Sequence, residues 1–323
     1  MARSGLFLVI MLILSTSVNA LEPVNAQDVD AVCKSVARKL SSVYLSDCKP
    51  GRFKASGGHS VKQRLIPLKE YPPMKQRKPK GRILLIGGIH GDEYSSVSII
   101  FKWMNILDKH HSGLFHWKVV PVLNPDGLLL KKSQRMNING VDLNRNFPTP
   151  DWHTESVRYW EQRTRRNPRR YPGEAPLSEP ESRWLAREIE RFQPHVVVSV
   201  HAPHGIVDFD GPHKAPNKLG HLYLNLLGTY PGSLGNYAGV QRRLPVITIE
   251  LPYAGIMPSK RETRAIWIDL IRWLNNNVGK QAPVWTPREK PVLTKSGNFI
   301  SDVFAHESKG PDPTSSTAAP EVK

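Results

Sequence analysis

The sequence predicts an α/β fold with a mixed, largely parallel central sheet and helices on both faces. Two observations carry this. Short apolar runs rich in β-branched residues alternate with stretches whose apolar residues recur at helical spacing. The polar residues able to do chemistry fall just after those runs, where ligand sites of open α/β sheets form. Arg82 to Gly87 reads as a buried strand ended by Gly87-Gly88. From Tyr94 to Leu107, a helical stripe runs through Val97, Ile100, Phe101, Met104 and Leu107. Trp117 to Leu123 reads as a second strand, stopped by the turn signal Asn124-Pro-Asp-Gly127. Glu179 to Phe192 reads as a helix with Pro180 in its first turn, where a missing N–H costs nothing. Val196 to Val200 is another buried strand. His221 to Leu227 reads as helical, Pro245 to Leu251 as a strand, and Arg264 to Leu274 as a final amphipathic helix. No internal repeat is visible.

The ends differ from this middle. Residues 1–20 have the pattern of a secretory signal: Arg3, a ten-residue apolar run from Gly5 to Leu14, then Val18-Asn19-Ala20 as a cleavage site. That run is too short to span a bilayer comfortably, and no transmembrane segment is expected after cleavage. An exported protein, periplasmic or secreted, is the expectation. Export also places the two cysteines, Cys33 and Cys48, in an oxidising compartment, where one disulfide should tie down residues 21–60. Pro72, Pro73 and Pro79, set among Lys and Arg, mark a boundary between an N-terminal segment (21–80) and the main domain (81–280). Residues 281–323 lack apolar periodicity, and their end, rich in Pro, Ser, Thr and Ala, reads as a disordered tail.

Composition bounds the function. Of 323 residues, 39% are hydrophobic, which argues against disorder across the whole chain. Two cysteines exclude a disulfide-rich scaffold and a four-cysteine zinc site. The formal net charge of +17 points to an anionic partner. Export, and the absence of finger, RRM or homeodomain patterns, argue against nucleic acid and leave a membrane surface or an anionic polymer such as cell-wall material. The charge is concentrated. Lys62–Arg82 holds eight basic residues and one acid, and Arg158–Arg170 holds six arginines and one acid.

His90-Gly-Asp-Glu93 follows the first strand and offers an imidazole and a carboxylate three residues apart. Catalytic zinc needs three protein ligands and an open position. His201, directly after the run Val196–Val200, supplies a third ligand; His195 and His204 are nearby rivals that do not end the strand. Glu250 lies at the end of another apolar run. In a parallel sheet these groups would converge on one edge.

Gly87-Gly-Ile-His-Gly-Asp-Glu93, Asn124-Pro-Asp-Gly127, Arg135, Gly140-Val-Asp-Leu-Asn-Arg-Asn-Phe147, Ser199-Val-His201 and Ile247-Thr-Ile-Glu250 occur in that order. This set resembles the zinc carboxypeptidase family over about residues 80–275. Tyr171 to Glu181, Gly232 to Gly239 and Glu250-Leu-Pro252 resemble its murein peptide amidase branch. The resemblance implies one Zn²⁺ per chain, held by His90, Glu93 and His201. It implies Glu250 as general base, Arg135 as oxyanion stabiliser, Asn144 and Arg145 as holders of a substrate carboxylate, and Asp142 orienting a zinc histidine. Gly232 to Tyr237 matches the family's pocket segment, so Ser233, Leu234 and Tyr237 are expected to bind substrate. Tyr230 and Tyr237 are both candidates for the family's tyrosine donor. No Asp or Glu lies between Gly232 and Gly239, which disfavours a C-terminal Lys or Arg. The implied substrate is a peptide or muropeptide with a free carboxylate, cleaved at the γ-D-glutamyl–diaminopimelate amide. The alternatives are a carboxypeptidase on ordinary L-peptides, a deacylase of the desuccinylase or aspartoacylase kind, and a zinc-containing wall-binding module without turnover.

Overall fold

The computed structural model describes residues 26–279; the segments read as signal and tail lie outside them. The chain runs α1 (Ala26–Lys39), β1 (Lys54–His59), β2 (Leu65–Tyr71), β3 (Gly81–Ile86), α2 (Tyr94–His110), β4 (Phe115–Val120) and α3 (Pro125–Leu129). It continues through α4 (Pro180–Phe192), β5 (Val196–His201), β6 (Ile206–Asp210), β7 (Lys218–Leu219), β8 (Leu222–Leu224), β9 (Val246–Glu250) and α5 (Lys260–Asn277). One nine-stranded sheet has the order β1-β2-β4-β3-β5-β9-β6-β8-β7. Its centre, β4-β3-β5-β9, is parallel, and β2 and β6 flank it antiparallel.

The centre is parallel because both its faces are covered, which is what near-continuous runs such as Ile83-Leu-Leu-Ile86 and Val196-Val-Val-Ser-Val200 demand. Strand alternation then divides the core in two. Ile83, Leu85, Val198, Val200, Ile247 and Ile249 pack with α1, α2 and α5. Leu84, Ile86, Val197 and Val246 pack with Trp184, Leu185, Ile189 and Phe192 of α4. On the first face, Trp267 of α5 lies 5.4 Å from Trp103 of α2 and 5.5 Å from Trp117 of β4, centroid to centroid.

Three expectations change. His221–Leu227 is not helical. Leu222–Leu224 is a strand hairpinned to β7 through Gly220, whose φ of +61° suits glycine. Its leucines at 222 and 224 alternate with exposed Tyr223, a strand period. Asn124-Pro-Asp-Gly127 is not a free turn but the start of α3. The Asn124 side chain accepts from Gly127 N, with Pro125 at the first helical position. Finally, the segment before residue 81 is not set apart from the main domain: β1 and β2 extend the same sheet through β4. Arg64 ion-pairs with buried Asp126 of α3, which adds a polar tie.

Cys33 and Cys48 form a disulfide between α1 and the turn before β1. Cys33→Ser/Cys48→Ser should lower unfolding free energy by about 3 kcal/mol, the chain-entropy expectation for a fifteen-residue loop. Denaturant titration measures this. Zinc affinity should not change, because α1 packs on the sheet face opposite α4.

Candidate active site

The same alternation selects which side chains share a face with α4. Val200 and Ile249 turn toward α2, so Ser199, His201, Thr248 and Glu250 turn the other way. Register places His201 beside Glu250 at the ends of β5 and β9. On β6, Val207 and Phe209 join the first core, leaving Asp208 and Asp210 on the site face. His90 and Glu93 come from the loop between β3 and α2, at the same carboxyl edge.

His90, Glu93 and His201 are buried, and one ligand atom from each lies within 4.8 Å of the others. His90 Nδ1 is 2.8 Å from Glu93 Oε1, His201 Nδ1 is 3.1 Å from Glu93 Oε2, and the two Nδ1 atoms are 3.1 Å apart. The far nitrogens are engaged elsewhere: His90 Nε2 faces Asp142 Oδ1 at 3.0 Å, and His201 Nε2 faces Ser199 Oγ at 3.0 Å. Asp142 and Ser199 thereby orient the two rings so that both Nδ1 atoms face Glu93. Nitrogens of two imidazoles and the oxygens of a carboxylate then converge in a buried space. Such an arrangement needs a cation at its centre, and the His₂Glu set suits zinc.

The surrounding charges are arranged to keep this set ionised. Burial would raise the Glu93 carboxyl, but His90 and His201 hold it below the usual range. Burial opposes ionisation of Asp142 as well, yet Arg135 and His90 hold it well below its ordinary value. Arg135 donates from Nε to Asp142 Oδ2 at 3.0 Å and from Nη1 to Glu93 Oε1 at 3.3 Å, which leaves its Nη2 donors for a substrate oxygen. Glu250 is buried, and its Oε2 has no hydrogen-bond partner among the described residues.

One cavity of about 560 Å³ is lined by His90, Glu93, His201, Glu250, Arg135, Asn144, Arg145 and Ser233. The Arg145 guanidinium lies 4.4 Å from the Tyr230 ring centre and donates to Asn144 O at 2.6 Å; burial pushes it down to about 10. Asn144 Oδ1 accepts from Leu234 N at 2.8 Å, tying the Gly232 loop to the site. Ser233 Oγ accepts from Tyr230 N and Asn236 N.

Leu234 and Tyr237, expected in the pocket, are not in its lining. Leu234 is buried in the α4-side core. Tyr237 stacks on Phe147 with centroids 5.5 Å apart, and its hydroxyl donates to Glu190. Of the two tyrosine candidates, Tyr230 lines the cavity. The pocket is also not free of acids. Asp208 and Asp210 line it from β6, and burial raises both carboxyls, Asp210 to about 7. Gly235 makes room for Asp210: a Cβ there would sit 2.0 Å from Asp210 Oδ2. The alternation in Ile206-Val-Asp-Phe-Asp210 was the signal that could have found this acid pair.

A family model described as zinc carboxypeptidase matches residues 49–209. Murein peptide amidase A of Escherichia coli K12 is 33% identical over 218 residues, spanning 64% of this chain and 85% of that protein. The chain belongs to the zinc carboxypeptidase family. Its Vibrio campbellii relative of the same name is 33% identical over 193 residues, spanning 58% of this chain and 75% of that protein. The crystal structure of murein-tripeptide amidase from E. coli O157 superposes with a TM-score of 0.51 at 29% identity, covering 69% of this chain and 93% of that one. Carboxypeptidase A of Helicoverpa armigera shares the fold (TM-score 0.55, 17% identity, 76% of this chain and 71% of that one). As a member of the zinc carboxypeptidase family, the protein is a zinc metallohydrolase.

Asp142 is the testable part of this geometry. Asp142→Asn should weaken Zn²⁺ affinity about 10- to 100-fold, measured by competition with a chromogenic chelator. Zn²⁺ added to metal-stripped protein should raise Tm, and His201→Ala should abolish that rise.

Proposed function

We propose that the protein hydrolyses the amide between a γ-linked D-glutamyl residue and diaminopimelate in murein peptides. The observation that carries this reading is the single cavity joining the His90–Glu93–His201 set, Glu250 and Arg135 to Asn144 and Arg145. The similarity to murein peptide amidases supports the substrate class.

Bound by His90, Glu93 and His201, zinc would supply Lewis acidity toward the scissile carbonyl and the attacking water. The chain's own groups do the rest. Glu250, with its unpartnered Oε2, takes the proton from the water and returns it to the leaving nitrogen. Arg135, fixed by Asp142, stabilises negative charge as the carbonyl oxygen becomes tetrahedral. Arg145 and Asn144 grip the carboxylate of the leaving residue, the planar guanidinium suiting two parallel hydrogen bonds.

Asp208 and Asp210 favour a leaving residue with a free ammonium, and diaminopimelate has one at its far end. They equally suit lysine, so they reopen the reading as a carboxypeptidase on L-peptides ending in a basic residue. The enzyme is placed outside the cytoplasm in this proposal, where its basic segments would hold it near anionic wall material.

The zinc-loaded protein, incubated with L-alanyl-γ-D-glutamyl-diaminopimelate, should release free diaminopimelate by mass spectrometry. An α-linked peptide ending in L-Lys should be cleaved more slowly; faster release of lysine would favour the carboxypeptidase reading, and no diaminopimelate would sink this one. Glu250→Gln should lower kcat about 10²- to 10⁴-fold with Zn²⁺ binding retained.

A further inference from the structure

Four arginines line the cavity, Arg135, Arg145, Arg169 and Arg170, and the reaction described above uses two of them. Arg135 is committed to Asp142 and Glu93. Arg145 packs on Tyr230 and is placed for one substrate carboxylate. The other two, Arg169 and Arg170, end the basic segment Arg158–Arg170. The neighbours of Arg170 there are mostly accounted for: Arg158 pairs with Glu155, Arg166 with Glu161, and Arg169 with Asp92 at 2.7 Å. Arg170 differs. It is half-buried, lines the cavity, and its guanidinium makes no hydrogen bond or ion pair among the described residues. The carboxylate whose charge reaches it, Asp142, is already shared by His90 and Arg135.

The position of Arg170 is also built. Its own N–H closes a turn on Asn167 O at 2.9 Å, and the next residue, Tyr171, accepts from Asp142 N at 2.8 Å. Trp160 packs on Tyr171 with centroids 4.9 Å apart and donates to Asn167 O. A cation held this way, partly desolvated and close enough to Arg135 to be repelled by it, is stabilised by an anion opposite.

We infer that Arg170 holds a second carboxylate of the substrate, beyond the one at Arg145. The assignment rests on the murein-peptide reading and deepens it. An ordinary peptide has one carboxylate near its last amide. A γ-linked glutamyl–diaminopimelyl unit has three: the glutamyl α-carboxylate and two on diaminopimelate. Arg170 therefore favours γ-linked or diaminopimelyl substrates over ordinary peptides, a selection that zinc and Glu250 cannot make because they act only on the amide.

The test crosses two enzyme variants with three peptides. The peptides are L-alanyl-γ-D-glutamyl-diaminopimelate, its α-amidated glutamyl counterpart, and the counterpart with L-Lys replacing diaminopimelate. Binding to zinc-loaded Glu250→Gln protein is read by calorimetry, so the result does not depend on turnover. Arg170→Gln added to that background should weaken the full tripeptide about 10- to 100-fold. It should leave unchanged the affinity for whichever counterpart lacks the partner carboxylate. That counterpart identifies which carboxylate Arg170 holds, and Arg170→Lys should restore part of the affinity. Equal weakening of all three peptides, no weakening of any, or no binding of the tripeptide overturns the assignment. Failure of the wild-type protein to release diaminopimelate strikes the proposed reaction instead, because the binding comparison stands apart from it.

Discussion

The carboxylate of Asp142 is the interaction on which the rest of the site depends. It is fully buried, and its two oxygens meet three groups: Oδ1 faces His90 Nε2 and accepts from Asn144 N, and Oδ2 accepts from Arg135 Nε. Its own N–H is held by Tyr171 O. One residue thereby holds the His90 ring, the Arg135 guanidinium, the turn carrying Asn144 and Arg145, and, through Tyr171, the anchor of the Arg170 arm. Burying a carboxylate is costly unless charge and hydrogen bonds compensate, and here both do. Moving Asp142 would move the metal side and the substrate side together. This explains in physical terms why Val141-Asp-Leu-Asn-Arg-Asn-Phe147 is so compact: Asp142, the cavity-lining Asn144 and Arg145, and the core anchors Leu143 and Phe147 share one short segment.

The sheet supplies the second constraint. Parallel pairing brings the carboxyl ends of β3, β5 and β9 level, and period-two alternation decides which side chain faces the site. A one-residue slip of β9 would exchange Glu250 for Ile249 and expose the core face. In the proposed reaction the register His201↔Glu250 therefore matters as much as either residue.

The strongly apolar elements were legible in the sequence because burial on both faces leaves only one way to read them. β3, β5, β9, α2, α4 and α5 all appear where their patterns place them, with ends shifted by a few residues. The polar edges were less legible. β1 contains Gly57-Gly58, and β6 carries two aspartates, so neither looks like a buried strand. His221–Leu227 misled because leucines at 222, 224, 226 and 227 satisfy both periods over so short a span. In the site, the metal set could be read from strand ends and ordered motifs. Tyr237 could not, since nothing in the local sequence distinguishes a ring stacked on Phe147 from one facing a ligand. Asp208 and Asp210 escaped because the pocket was read from one contiguous segment. The fold builds it from several, with Gly235 leaving space for an acid that lies 25 residues away in sequence.

The net charge of +17 takes on a more local meaning once it is mapped onto the cavity. Much of the basic run Arg158–Arg170 pairs with nearby carboxylates, so it is not one uniform attractive surface. Inside, charge is divided: Arg135, Arg145 and Arg170, beside the paired Arg169 and Asp92, come from the loops, and Asp208 and Asp210 from β6. A simple anion would satisfy the first group and be repelled by the second. A simple cation would do the reverse. Only a ligand with both signs close together relieves the desolvation of both groups, and a polar site left without its partner charge discriminates strongly against ligands that lack it. In the proposed reaction the division of charge, more than its sum, favours a zwitterionic leaving residue.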